Sequence, residues 1–178
     1  MKHEAEIELK MLVSEEQFYQ LASFYQPLNF VEQHNYYYVT NDIKHYAYRV
    51  REKEGTLLFT LKEHSNGQVI EHEKYLNGPL EEDEEVKQLL ASFGIYPPYK
   101  LIGELITERA VVEDEYAELC FDINHYNGIT DYEIEYEIKQ AHDYKKAFKK
   151  LLKKASLKFV ENKESKYKRC LKSLPDDI

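Results

Sequence analysis

Charged and apolar residues take turns along much of this chain. Residues 3–12 set Glu4, Glu6, Glu8 and Lys10 against Ala5, Ile7, Leu9 and Met11. Side chains alternate faces along a strand, so period two predicts a β-strand with one polar and one apolar face. Further strands are expected at 30–39, 46–53, 56–64, 68–76, about 100–112, 116–125 and 130–139, which makes about eight. Helices are expected between them. Ser14 opens one through about Tyr25, with Gln17 three residues on as a capping box. Pro79 and the acidic run Glu81 to Glu85 open a second, ending near Phe93-Gly94. A Lys-rich helix follows His142, and Ser165 to Leu174 suits a short last one.

Turn pairs fix how the strands align. Asn66-Gly67 and Asn127-Gly128 are the residues that two-residue type I′ hairpin turns prefer. Counting outward from Ser65 opposite Gln68 sets Lys62 across from Glu71 and Thr60 across from Glu73. Treating Glu54-Gly55 the same way places Arg49 opposite Thr60 and Arg51 opposite Leu58. Tyr48, Val50, Leu57, Phe59 and Leu61 go to the other face. Around Asn127-Gly128, Asp122 meets Glu133, Cys120 meets Glu135 and Glu118 meets Glu137. Leu119, Phe121 and Ile123 then oppose Tyr132, Ile134 and Tyr136. Arg109 has the parity to stand beside this acidic face, although turn counting does not fix its register.

A solvent-exposed polar face is the ordinary meaning of such alternation. Like charges directly opposite one another are destabilising, however, and this acidic cluster is heavily one-signed. The basic residues also collect on different strands from the acidic ones. A barrel explains both if its charged face lines the interior and helices cover its apolar outside. Carboxylates there would hold a divalent metal, and Arg and Lys an anion. The expected fold is therefore α+β, an eight-stranded antiparallel β-barrel forming a tunnel with helices packed outside, in a single domain over 1–178.

Bulk properties exclude several classes. A net charge of −9 argues against a nonspecific nucleic-acid binder. No apolar run approaches the length of a membrane span. Two lone cysteines, Cys120 and Cys170, make no CxxC pair and suit a reducing compartment, so a cytoplasmic location is expected. There is neither a Walker loop nor HExxH. Cys120 has charged-face parity but reads as a small filler rather than a nucleophile, and Lys145 to Lys154 as a solvated helix packed on the sheet.

Glu6-Ile7-Glu8-Leu9-Lys10 reads Glu-x-Glu-x-Lys. Arg49-x-Arg51, Lys62, Glu71-x-Glu73, Arg109, Asp122, Glu133-x-Glu135-x-Glu137 and Ser165-Lys166-Tyr167 follow in order. This series resembles the CYTH family, the triphosphate tunnel metalloenzymes, over nearly the whole chain. The resemblance implies an eight-stranded tunnel with acidic and basic side chains pointing inward. It implies that Glu6, Glu8 and a carboxylate of the Glu133–Glu137 strand ligate Mg²⁺ or Mn²⁺, and that Lys10, Arg49, Arg51, Lys62, Arg109 and Lys166 bind phosphates. Glu71, Glu73 and Asp122 join the candidate metal ligands through their strand parity. Glu6, Glu8, Lys10, Glu133, Glu135 and Glu137 form the candidate catalytic set. One departure is Val69, where many members carry a basic residue.

The residue types suit that chemistry. Alternate strand positions lie about 7 Å apart, twice the rise per residue. Mg²⁺ takes oxygen ligands and substrate phosphates, and Arg offers phosphate a planar fork. Phosphoryl transfer needs mainly positioning and charge neutralisation. The expected activity is metal-dependent hydrolysis of a triphosphate-containing small molecule. A carboxylate from Glu133 to Glu137 would serve as base. The alternatives are a class IV-like adenylate cyclase and a noncatalytic polyphosphate- or nucleotide-binding module. No nucleic-acid or membrane partner is expected.

Overall fold

The computed structural model describes residues 1–175. The chain forms two compact units. The first holds residues 1–6, 33–105 and 166 onward, and the second residues 7–32 and 106–165. All strand pairs described below are antiparallel.

In the first unit, β1 (Lys2–Glu6) pairs with β6 (Gln68–Leu76). Next come β5 (Thr56–Ser65), β4 (Tyr46–Lys53) and β3 (Val31–Tyr38, within the unit from Gln33). The observed register is the one the turns dictate: Lys62 faces Glu71, Thr60 faces Glu73, Arg49 faces Thr60 and Arg51 faces Leu58. Both hairpin turns hold their two central residues at positive φ, Glu54 and Gly55 in one, Asn66 and Gly67 in the other, as a type I′ turn requires. The opposite face buries Tyr48, Val50, Phe59 and Leu61. Against it lies α2 (Glu84–Ser92), through Val86 and Leu90. Asp83 caps α2 by accepting from the Val86 N–H at 3.0 Å. That cap separates α2 from a 3₁₀ turn at Leu80–Glu82, so the expected second helix begins in two pieces. The short α4 (Lys166–Lys172) packs through Tyr167 and Cys170. Gly103 makes room for it, because a Cβ there would lie 3.0 Å from the Cys170 Sγ.

In the second unit, β7 (Leu101–Glu113, within the unit from Ile106) pairs with β8 (Ala117–Tyr126), and β8 with β9 (Ile129–Ile138). The last pair is β9 with β2 (Glu8–Val13). The apolar face of these strands is covered by α1 (Glu15–Ala22) and α3 (Tyr144–Lys153). The capping box at Ser14 and Gln17 forms as the sequence predicts. Phe18 of α1 meets Phe121 edge-on at 5.6 Å, and Phe148 of α3 meets Tyr136 at 5.3 Å. The Lys-rich helix therefore spends its apolar side in the core, with Phe148 and Leu152 fully buried. Among the described residues, no helix is long and apolar enough to cross a membrane.

Among the described residues the strands number nine rather than eight. The alternation at 3–12 reads as one strand, but the chain breaks pairing at Ile7, which is 49% exposed. Glu6 pairs with Val69 of β6, whereas Glu8 pairs with Glu137 of β9. A change of partner leaves the period untouched, so the sequence pattern carries no trace of it. The α+β class, the antiparallel pairing and the helix-covered apolar face are as expected.

Replacing the fully buried Phe121 with Ala should destabilise the protein by about 3–5 kcal/mol. Urea unfolding followed by circular dichroism checks this through the shift in midpoint.

Candidate functional site

The second unit gathers carboxylates in its interior. The hairpin at Asn127-Gly128 sets Asp122 opposite Glu133 and Cys120 opposite Glu135. From the flanking strands, Arg109 faces Asp122 and Lys10 faces Glu135. Asp122 and Glu133 are 0% exposed and Glu135 6%. Each offers an oxygen, and these oxygens all lie within 4.8 Å of one another. Among the described residues, no other group of three or more His, Cys, Asp or Glu is close enough to share an ion.

Carboxylates buried this closely need compensation. Arg109 supplies part of it. Its Nε donates to Asp122 Oδ1 at 2.7 Å and its Nη2 to Asp122 Oδ2 at 2.6 Å, a two-pronged pair. Nη2 also reaches Glu135 Oε2 at 3.0 Å. Burial works against the guanidinium's charge, but Asp122 and Glu135 outweigh it and hold its pKa well above the usual value. Asn162 donates to Glu133, its Nδ2 lying 2.9 Å from Oε2. The Cys120 thiol beside them is pushed up to about 12, chiefly by burial. Arg109 pulls it down, while Glu135 and Asp122 raise it further. Such a thiol is almost wholly protonated at neutral pH and is a poor nucleophile.

Other candidates of this unit lie further along the same strands. Glu8 faces Glu137 and has an oxygen 3.8 Å from Lys10 Nζ. Glu137 is paired with Lys139 at 3.0 Å.

The first unit carries cations. Lys62 Nζ sits 3.0 Å from Glu6 Oε1 and 3.8 Å from Glu71 Oε1. Thr60 donates to Glu73 at 3.3 Å. Arg51 donates through Nε to Asn35 Oδ1 at 2.7 Å, and Asn35 Nδ2 donates to the Leu105 carbonyl at 3.1 Å. That contact helps to anchor the guanidinium of Arg51. Arg49 Nε is buried with no hydrogen-bond partner, as is the hydroxyl of Tyr37, its cross-strand neighbour. Lys166 opens α4, next to Tyr167, whose ring meets Tyr37 at 5.2 Å.

Of the eight carboxylates named from the sequence, then, the structure gathers Asp122, Glu133 and Glu135 into one group. Glu6 and Glu71 meet at Lys62, Glu73 at Thr60, Glu8 near Lys10, and Glu137 at Lys139. Asn35 and Asn162 escaped the sequence reading. Asn35 has charged-face parity, but the polar connection at 40–45 leaves its register with Arg51 undefined. Asn162 lies outside every strand and helix and gives no signal at all.

The CYTH domain family model matches residues 4–170, and the chain belongs to that family. A Bacillus subtilis (strain 168) protein named "Putative triphosphatase YjbK" is 32% identical over 176 residues, covering 92% of this chain and 93% of that protein. A crystal structure from Bacillus halodurans, described as a "putative adenylate cyclase", is 35% identical. It superposes with a TM-score of 0.83, covering 95% of this chain and 98% of that one. A Hippeastrum protein at 22% identity and a TM-score of 0.77, covering 94% and 95% of the two chains, shares the fold.

The three oxygens suit a hard divalent cation. Metal–oxygen distances of about 2.1 Å put opposed ligands about 4.2 Å apart, a spacing comparable to that within this group.

Two outcomes test these electrostatics. Arg109→Leu leaves Asp122 and Glu135 without the fork and should cost about 3–5 kcal/mol in thermal or urea unfolding. Native protein treated with iodoacetamide at pH 8 should remain unlabelled at Cys120, with modification by mass spectrometry appearing only after denaturation.

Proposed function

We propose that this protein is a divalent-metal-dependent triphosphatase acting on inorganic tripolyphosphate or a small organic triphosphate. The observation that carries the reading is the buried trio of Asp122, Glu133 and Glu135, with oxygens within 4.8 Å, in a chain of the CYTH family. Closely packed carboxylates resist joint ionisation unless positive charge enters among them. The family relationship to a protein named as a triphosphatase supports the same reading.

Mg²⁺ or Mn²⁺ is the fitting ion, because the donors are all hard oxygens. Asp122, Glu133 and Glu135 would hold it, with Glu6, Glu8, Glu71, Glu73 and Glu137 as further candidate ligands. When bound, the ion supplies positive charge against the phosphate oxygens. The remaining steps fall to the chain. Arg49 and Arg51 bind phosphate oxygens through their guanidinium groups, and Asn35 keeps Arg51 aimed. The buried Arg49 Nε supports this role, since an anion would give it the partner it otherwise lacks. Lys10, Lys62, Arg109 and Lys166 add positive charge. For Lys62, substrate competes with Glu6 and Glu71. A carboxylate of β9 takes the proton from the water that attacks the terminal phosphorus.

A defined assay tests this. Purified protein with Mg²⁺ or Mn²⁺ should release orthophosphate from tripolyphosphate and lose that activity in EDTA. Glu6→Gln and Glu8→Gln should each abolish turnover. The same ions with tripolyphosphate should raise the melting temperature, as ligands that bind only the native state do. The name of the Bacillus halodurans structure favours a second reading, a cyclase, which would instead yield cyclic AMP and pyrophosphate from ATP. Tight binding with neither product would make the protein a binding module.

A further inference from the structure

Between α3 and α4 the chain runs without regular structure, and Asn162 pins it. The Asn162 backbone N–H donates to the Lys10 carbonyl at 2.8 Å. β2 ends the strand order, so its second edge is open to such a bond. The side-chain Nδ2 donates both to Glu133 Oε2 and to the Glu164 carbonyl, each at 2.9 Å. Oδ1 accepts from the Glu164 N–H at 3.0 Å. One residue thus grips β2, which carries Glu8 and Lys10, its own loop, and a fully buried carboxylate of the metal-competent trio.

The chemistry of the grip is selective. Arg109 binds Asp122 and Glu135 with a cation, which offsets their charge as well as orienting them. Asn162 binds Glu133 with a neutral amide. Such a donor fixes the plane of the carboxylate but brings no positive charge, so it orients Glu133 while weakening its pull on a cation less than a guanidinium would. Its own other contacts, to Glu164, hold the amide in place and set which oxygen of Glu133 is engaged. Partners of this kind behind a metal ligand typically contribute about 10–100-fold in metal affinity.

We propose that Asn162 is a positioning residue of the metal centre, orienting Glu133 toward the bound ion while its backbone ties that centre to β2. The inference rests on the reading of Asp122, Glu133 and Glu135 as metal ligands.

Calorimetric titration of Mn²⁺ into metal-free protein tests it without recourse to turnover. Asn162→Ala and Asn162→Ser both keep the backbone bond to Lys10. Serine can still accept from the Glu164 N–H, as a turn-forming hydroxyl does, but is too short to reach Glu133. Both variants should bind Mn²⁺ about 10–100-fold more weakly than the wild type, while the melting temperature of the metal-free Ser variant stays near the wild-type value. Wild-type affinity in a folded variant overturns the proposal. A collapse of folding in both variants also overturns it, by making Asn162 a structural clamp alone. Failure of the wild type itself to bind Mn²⁺ removes the metal centre, a different result from the failure of Asn162 to matter.

Discussion

The structure of the second unit depends on how it keeps charge inside. Asp122 and Glu133 are both fully buried and stand directly opposite one another across β8 and β9. An isolated carboxylate in such a place would be expelled or protonated. Arg109 answers for Asp122 and Glu135 with two hydrogen bonds to the first and one to the second. Its position follows from the pairing of β7 with β8, which sets Arg109 across from Asp122. Asn162 answers for one oxygen of Glu133. The apolar backs of the same strands, sealed by Phe18, Phe148 and Leu152, hold the register that makes these contacts line up. Buried ion pairs add little net stability over apolar packing, yet losing one partner is costly. Retaining so many carboxylates in the interior therefore points to chemistry rather than to stability.

The first unit follows a different logic. Its cations are held by specific partners. The neutral amide of Asn35 accepts from Arg51 Nε and so helps to orient that guanidinium. Lys62 lies between two carboxylates, one from β1 and one from β6, and is a quarter exposed. Both carboxylates are largely buried, so these contacts fix the position of the ammonium group. A separate network lies on the helix-covered face. Met1, Lys74, Asp83 and Glu85 link the start of β1 to the cap of α2, away from Arg49 and Arg51. An acidic chain can in this way gather cations locally despite a net charge of −9.

The amino-acid sequence by itself determined the strands, their faces and, at the hairpins, their register. Period-two alternation separates Thr60 and Lys62 from Phe59 and Leu61 whatever surrounds them, because side chains of a strand must alternate. Asn-Gly and Glu-Gly turns fix which residues stand opposite, because so few residues accept positive φ at both turn positions. The family series from Glu6 to Glu137 was legible for the same reason, as fixed parities along successive strands.

Only the tertiary structure decided what no local rule reaches. The break at Ile7 sends Glu6 and Glu8 to different partner strands without altering their alternation. The fork of Arg109 needs the β7–β8 register, which no two-residue turn sets. Asn35 meets Arg51 across a connection too long to count through, and Asn162 reaches Glu133 from a segment with no periodicity at all. Parity is a property of neighbouring residues and can be read along the chain. Which buried oxygen receives which donor depends on contacts between residues distant in the chain, and those exist only once the strands and loops have packed.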